Sequence, residues 1–259
     1  MDSDNVRVDV CAVAPHPDDL EITCGGTLAK LVKQGYTVGI IDLTTGEPTP
    51  RGTEEIRRAE AEEARRILGV QHRVNLGLPN RVLMDGPDMR FALATQLRKW
   101  QPKVLISVAG RTPAASPDHH QSHLIIEASR FYSQLTKWDD RFDGTPPYRV
   151  PQLVYSPFPF DAEQRLWHST FVIDISEVMP QKLAAVKAYQ SQFDEGRAKM
   201  VDHFLNGWNA WQGARCGFAH GELFALPQPL AATDLFKLVS SPGGHTAEHI
   251  PGKDHLPMG

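Results

Sequence analysis

The stretch VRVDVCAVAPHPDDLE, residues 6–21, decides how this chain folds. Val6, Val8 and Val10 alternate with Arg7 and Asp9, and the run then turns wholly apolar at Cys11-Ala12-Val13. Alternation that gives way to a continuous apolar run predicts a strand over Val6–Ala14, buried on both faces at its end. An imidazole and two carboxylates, His16, Asp18 and Asp19, follow at once. Pro17 biases His16 toward an extended backbone, so the loop is shaped.

Working outward, short apolar runs keep alternating with amphipathic stretches. A helix is predicted over about Thr27–Gln34, where Leu28, Leu31 and Val32 share a face and Gly35 stops it. VGIIDL (Val38–Leu43) reads as a buried strand, and Thr53 opens a helix that runs to Leu68 and ends at Gly69. A short strand at Val74–Leu76, a helix over Pro87–Trp100, the strand VLISV (Val104–Val108) and a helix from Asp118 follow. Leu153–Ser156 and Thr170–Ile175 read as further strands, and Val178–Phe193 and Gly196–Ala210 as helices. Strands spaced by helices imply right-handed crossovers. The predicted class is α/β, Rossmann-like, with a mostly parallel sheet and helices on both faces. Residues 1–226 are expected to form one domain. Residues 227–259, punctuated by Pro and Gly, are expected to be a tail with one short amphipathic turn at Asp234–Val239 and a poorly ordered end.

Composition excludes several classes. At 259 residues and 41% apolar content the chain can bury a large core. A net charge of −4, from 27 basic and 31 acidic residues, argues against a nucleic-acid surface, which needs clustered Lys and Arg. The mixed charge run Glu54–Arg66 reads as a solvated helix face. Cys11, Cys24 and Cys216 form no CxxC pair and suit a reducing compartment, with Cys11 a small core residue. With no basic leader and no apolar stretch near the ~20 residues of a membrane helix, the chain reads as cytoplasmic, without membrane or nucleic-acid partners.

In open parallel sheets ligands bind beyond the carboxyl ends of the strands. Three loops gather there: PHPDDLE at 15–21, TTGE at 44–47, and SPDHHQSH at 116–123. His16 and Asp19 can converge on one metal, and the third ligand must come from the second His-rich loop. Two imidazoles and one carboxylate, with a position left for water, is a catalytic zinc arrangement; a closed structural site would want four ligands, usually with thiolates. Neighbouring residues in a turn point apart, which frees Asp18 to move a proton. Taken singly, Asp-Asp after Pro is commonly a helix N-cap, and a loop His is commonly solvated. Both clusters falling at strand ends reverses that preference. A nucleotide-binding Rossmann protein fits poorly, because the first loop lacks GxGxxG and places carboxylates where phosphates would sit.

His16-Pro17-Asp18-Asp19-Leu20-Glu21 followed by Gly25-Gly26-Thr27-Leu28 resembles the motif of the LmbE-like, or PIG-L, zinc de-N-acetylases. Further segments resemble the branch that deacetylates N-acetylglucosaminyl-malate in bacillithiol synthesis. They include Gly46-Glu47, Gly52-Thr53 with Arg57, Leu76-Gly77-Leu78-Pro79, Phe171–Ser176 and Ala188–Phe193. The resemblance implies a hydrolase of a small N-acetylated sugar, one Zn2+ per chain, and self-association into a homo-oligomer. It implies His16, Asp19 and His119 as metal ligands, Asp18 as general base, and Arg57, Glu47, His220 and Glu222 as substrate-binding. Asp118 is implied in a supporting role. His123, one helical turn beyond His119, is the rival third ligand. The chain departs from the family at Ser116, where an auxiliary His is usual, and at His220, Asn80 and Pro15. Ser116 motivates an alternative, a sugar-binding relative with altered or no catalysis; another alternative is deacetylation of a different sugar such as diacetylchitobiose. His245, His249 and His255 receive no role. Trp208 and Trp211 read as packing residues of a late helix, with an aromatic sugar-pocket lining as the alternative.

Overall fold

The computed structural model describes residues 6–161 and 169–234. The tail histidines, and the turn expected at 234–239 beyond its first residue, lie outside the described residues. Among the described residues, seven strands form one sheet: β1 (Val10–Ala14), β2 (Val38–Thr44), β3 (His72–Leu78), β4 (Val104–Ala109), β5 (Gln152–Pro157), β6 (Thr170–Asp174) and β7 (Gly221–Ala225). Their order is β3-β2-β1-β4-β5-β7-β6. The first five are parallel neighbours, and β7 runs antiparallel between β5 and β6. Six α-helices accompany them: α1 (Asp19–Lys33), α2 (Glu54–Leu68), α3 (Pro87–Trp100), α4 (Asp118–Tyr132), α5 (Met179–Lys187) and α6 (Glu195–Ala214). α1, α2 and α5 pack on one another, and α3 packs on α4. Crossovers of fixed hand put the two groups on opposite faces, because strand order reverses after β3. Among the described residues no helix is long and apolar enough to cross a membrane.

The mostly parallel α/β architecture agrees with the sequence reading, and the departures have local causes. β1 starts at Val10 rather than Val6, because Val8 N–H donates to the Trp100 carbonyl at 3.1 Å and leaves the ladder. α1 begins at Asp19, eight positions before the expected start, and bends at Cys24, whose φ of −138° is not helical. Gly25-Gly26 resembles a loop in sequence, yet it passes through the helix. The Glu222 carboxylate accepts the Gly26 and Thr27 N–H groups at 2.9 and 2.7 Å, replacing helical acceptors lost at the bend. The helix expected over Val178–Phe193 is cut short at Lys187. Past it, Tyr189 donates to Glu21 at 2.9 Å, and Ser191 donates to Glu60 through both its N–H and its hydroxyl. β7 has no forecast in the sequence.

α2 matches its expectation closely. Thr53 caps its start, accepting from Ile56 N–H at 3.3 Å, and Gly69 closes it with φ +75°. Glu62–Arg65 and Glu63–Arg66 pair on its outer face. Cys11 is fully buried, as expected of a core residue.

Gly26 shows how tightly α1 sits. A Cβ there would lie 2.9 Å from three side-chain atoms of Ile175. Gly26→Ala is expected to lower stability by about 1–3 kcal/mol through overpacking. An unchanged urea midpoint would show that Ile175 yields freely.

Candidate metal and substrate site

Strand order reverses between β1 and β4, so the chain leaves these neighbours toward opposite faces and opens a crevice between their ends. The β1 loop brings His16, Asp18 and Asp19 to it, and the β4 loop brings Thr112, Ser116 and His119. One ligand atom each from His16, Asp19 and His119 lies within 4.8 Å of the other two. His16 Nδ1 is 3.1 Å from Asp19 Oδ2, and His119 Nε2 is 3.4 Å from Asp19 Oδ1. The rings meet edge to face with centroids 5.4 Å apart. Asp19 and His119 are buried, and His16 is nearly so. This donor set, two imidazoles converging on one carboxylate, suits a borderline divalent cation, so the cluster can bind a metal.

Burial opposes charge on His16, yet the Asp118 and Asp19 carboxylates outweigh it and lift its pKa to about 10. Burial likewise opposes ionisation of Asp19, but His119 and His16 hold it well below the usual carboxylate range. Such concentrated, mutually dependent charge marks a candidate functional site.

Asp18 precedes α1 with φ +112°, a costly conformation for a residue with a Cβ. Arg57 clamps it. Nη2 donates to the Pro17 carbonyl at 2.6 Å and lies 3.2 Å from Asp18 Oδ2. Burial pushes the Asp18 carboxyl up to about 7, against the pull of Arg57. Arg57 is buried, and its Nε and Nη1 have no hydrogen-bond partner among the described residues.

Supporting groups surround the cluster. Asp118 Oδ2 faces His16 Nε2 at 3.3 Å and accepts the Arg81 N–H at 2.6 Å. Thr112 Oγ1 shares a 2.8 Å hydrogen bond with His119 Nδ1, and Phe158 stacks on that ring at 4.2 Å. Beneath the β1 loop, Arg73 grips Asp42 through two nitrogens and Glu21 through a third. A cavity of about 420 Å³ opens over the cluster, walled partly by Phe160, Gln192, Phe193, Phe204 and Leu205. Ser116 lines it, and its hydroxyl accepts the Asp118 N–H at 3.2 Å.

Several expected site residues lie elsewhere. His123 packs edge-on against Tyr155, 5.1 Å away, and faces Glu127. It is outside the three-residue cluster because one turn of α4 carries it about 6 Å along the helix axis. Glu47 does not line the cavity; its carboxylate accepts the Thr49 N–H and hydroxyl. His220 is also away from the cavity, with its backbone N–H donated to Ser176 Oγ at 3.1 Å. Glu222 is fully buried, paired to Lys182 Nζ at 2.6 Å and to the α1 bend. A buried carboxylate with its acceptors so engaged binds no substrate, which corrects the expectation for Glu222. The roles of Thr112, Phe158 and Phe204 went unread, because single Thr and Phe residues carry no motif.

Fold and site together define an α/β protein with a cleft at the switch point of its sheet, where His16, Asp19 and His119 could hold a metal. The family described as PIG-L, GlcNAc-PI de-N-acetylase, matches residues 11–129. A conserved protein of Thermus thermophilus has a similar solved structure, with TM-score 0.75 and 35% identity, covering 88% of this chain and 98% of that one. The diacetylchitobiose deacetylase of Thermococcus kodakarensis is 29% identical over 226 residues, 82% of this chain and 80% of that protein. The 4-oxalmesaconate hydratase of Pseudomonas putida is 26% identical over 194 residues, 70% of this chain and 72% of that protein. The chain belongs to the PIG-L family of deacetylases acting on N-acetylated sugars.

Proposed function

We propose that this protein is a zinc-dependent hydrolase that removes the acetyl group from an N-acetylglucosaminyl conjugate. The observation that carries the reading is the convergence of His16, Asp19 and His119 beside the strained, clamped carboxylate of Asp18. His16, Asp19 and His119 would hold the zinc, which supplies an acidified water and polarises the acetyl carbonyl. Asp18 takes the proton of the attacking water on its carboxylate and returns it to the departing nitrogen. Overall, water adds across the C–N bond, giving acetate and a free amine. Arg57 holds Asp18 at the cavity wall, and as a lining residue it can draw in an anionic substrate arm, as in the malate conjugate expected from the sequence. Phe158 and Phe160 shield the cluster from bulk water.

The test is free-amine release from N-acetylglucosaminyl-malate, diacetylchitobiose and free N-acetylglucosamine. Activity should vanish on chelation and return with zinc. No amine from any N-acetylated sugar would remove the reading, and hydration of 4-oxalmesaconate instead would assign the chain the reaction of its hydratase relative.

Thr112 tests the ligand assignment. With His119 Nδ1 protonated, Thr112 Oγ1 accepts that proton and fixes Nε2 toward Asp19. Thr112→Val is expected to weaken zinc about 10- to 100-fold, read by competition with a chelating dye. Wild-type affinity would detach His119 from the metal.

A further inference from the structure

The cavity over the His16-Asp19-His119 cluster borders a second, open groove at Phe204. Val201, Phe204 and Leu205 of α6 form part of the cavity wall, and Phe204 also lines the adjoining open groove of about 450 Å³. The rest of that groove is His203, Gly207, Trp208 and Trp211. Phe204, Trp208 and Trp211 recur at spacings of four and three residues, so they share one face of α6. Trp211 is 53% exposed and Phe204 43% exposed. The two indoles tilt toward each other at 5.5 Å, and the Arg215 guanidinium sits 5.0 Å from the Trp211 ring. This corrects the packing role expected for Trp211. An aromatic strip left in water and adjoining a site cavity calls for an occupant.

Gly207 adds a second observation. Glycine is a poor residue for the middle of a helix. Here no neighbour demands it, since a Cβ at Gly207 would have no atom within 4 Å. What the missing side chain leaves is an open groove floor between Phe204 and the tryptophans.

We propose that this strip is the subsite for a second sugar ring, the one attached to the N-acetylglucosamine unit whose acetyl group is removed. The favoured substrate is then an N-acetylated di- or oligosaccharide. This rests on the deacetylase reading above. A pyranose ring has apolar C–H faces that lie on aromatic rings and hydroxyl edges that stay in water. The strip offers that chemistry over roughly 10 Å of helix, seven residues at ~1.5 Å each, which is room for more than one ring. A malate arm, small and anionic, would gain little from it.

The experiment compares kcat/KM for diacetylchitobiose and free N-acetylglucosamine on the zinc-loaded enzyme. It uses the wild type, Trp208→Ala/Trp211→Ala and Gly207→Leu. The wild type should prefer the disaccharide by tenfold or more. The double variant should lower that preference about 10-fold, at about 3-fold per ring, chiefly through KM. Gly207→Leu should lower it too while the unfolding midpoint stays or rises, because leucine favours the helix and fills the groove. A wild-type preference near one, or a preference kept in both variants, overturns the proposal. A variant that changes the solution mass but keeps the preference also overturns it, marking the strip as a contact between copies. Should the wild type cleave none of these sugars, the deacetylase reading fails separately. Tryptophan fluorescence then reads the strip alone. Saturable quenching by diacetylchitobiose that Gly207→Leu weakens about tenfold upholds the subsite, and no quenching in the wild type overturns it.

Discussion

Asp18→Asn is expected to keep its zinc and its fold while kcat falls by about 10²- to 10⁴-fold. Asparagine tolerates left-handed backbone better than most residues with a Cβ, so the φ of +112° at this position survives the change. Its amide oxygen can still face Arg57 Nη2, now 3.2 Å from Asp18 Oδ2. What is lost is the ability to accept a proton. The pair of measurements is zinc per chain by elemental analysis and amine release under saturating sugar. Unchanged turnover at full zinc occupancy would remove Asp18 as the base and pass the role to another group on the cavity wall. Loss of zinc together with activity would place Asp18 among the ligands.

The second large effect lies away from the metal. Lys182 and Glu222 are both fully buried and pair at 2.6 Å. Glu222 also accepts the Gly26 and Thr27 N–H groups. Removing one partner of such a pair strands the other charge, at a cost of about 3–5 kcal/mol. The two single variants should differ. Lys182→Met leaves the carboxylate held by two backbone donors, so its loss should sit near the lower end. Glu222→Leu strands an ammonium and orphans both N–H groups at the bend of α1, so it should lose more, near or above the upper end. Urea unfolding measures both. Equal and small losses would mean that water or relaxation compensates the charge. Because α1 carries Asp19 at its first turn, zinc affinity should fall with stability in Glu222→Leu but stay close to wild type in Lys182→Met.

The expectations that held depended on neighbours in sequence. Thr53, Gly69 and the charge pattern between them bounded α2 because caps and i,i+3 pairs are local interactions. VGIIDL and VLISV read as buried strands because both faces of a parallel sheet exclude water. The convergence of His16, Asp19 and His119 was legible for a different reason. His-Pro-Asp-Asp and Pro-Asp-His each follow an apolar strand, and strand ends of a parallel sheet share one edge. Glu222 was misread because a carboxylate in a family motif looks the same in sequence whether it faces a sugar or caps a bend. β7 was not foreseen because Gly-Glu-Leu-Phe-Ala is short, and its acidic residue is tolerated inside only because Lys182 meets it.

By itself, the sequence determined the α/β class, the helix boundaries set by caps, and the two loops that meet at the candidate site. Each of these follows from periodicity, propensity or the charge of adjacent groups. The tertiary structure alone decided that His123 is turned toward Tyr155 and Glu127, that Glu222 is spent inside, and that Trp211 stays in water. Those outcomes depend on which turn of a helix faces a crevice and on what fills the space opposite, and contacts between residues far apart in the chain settle both.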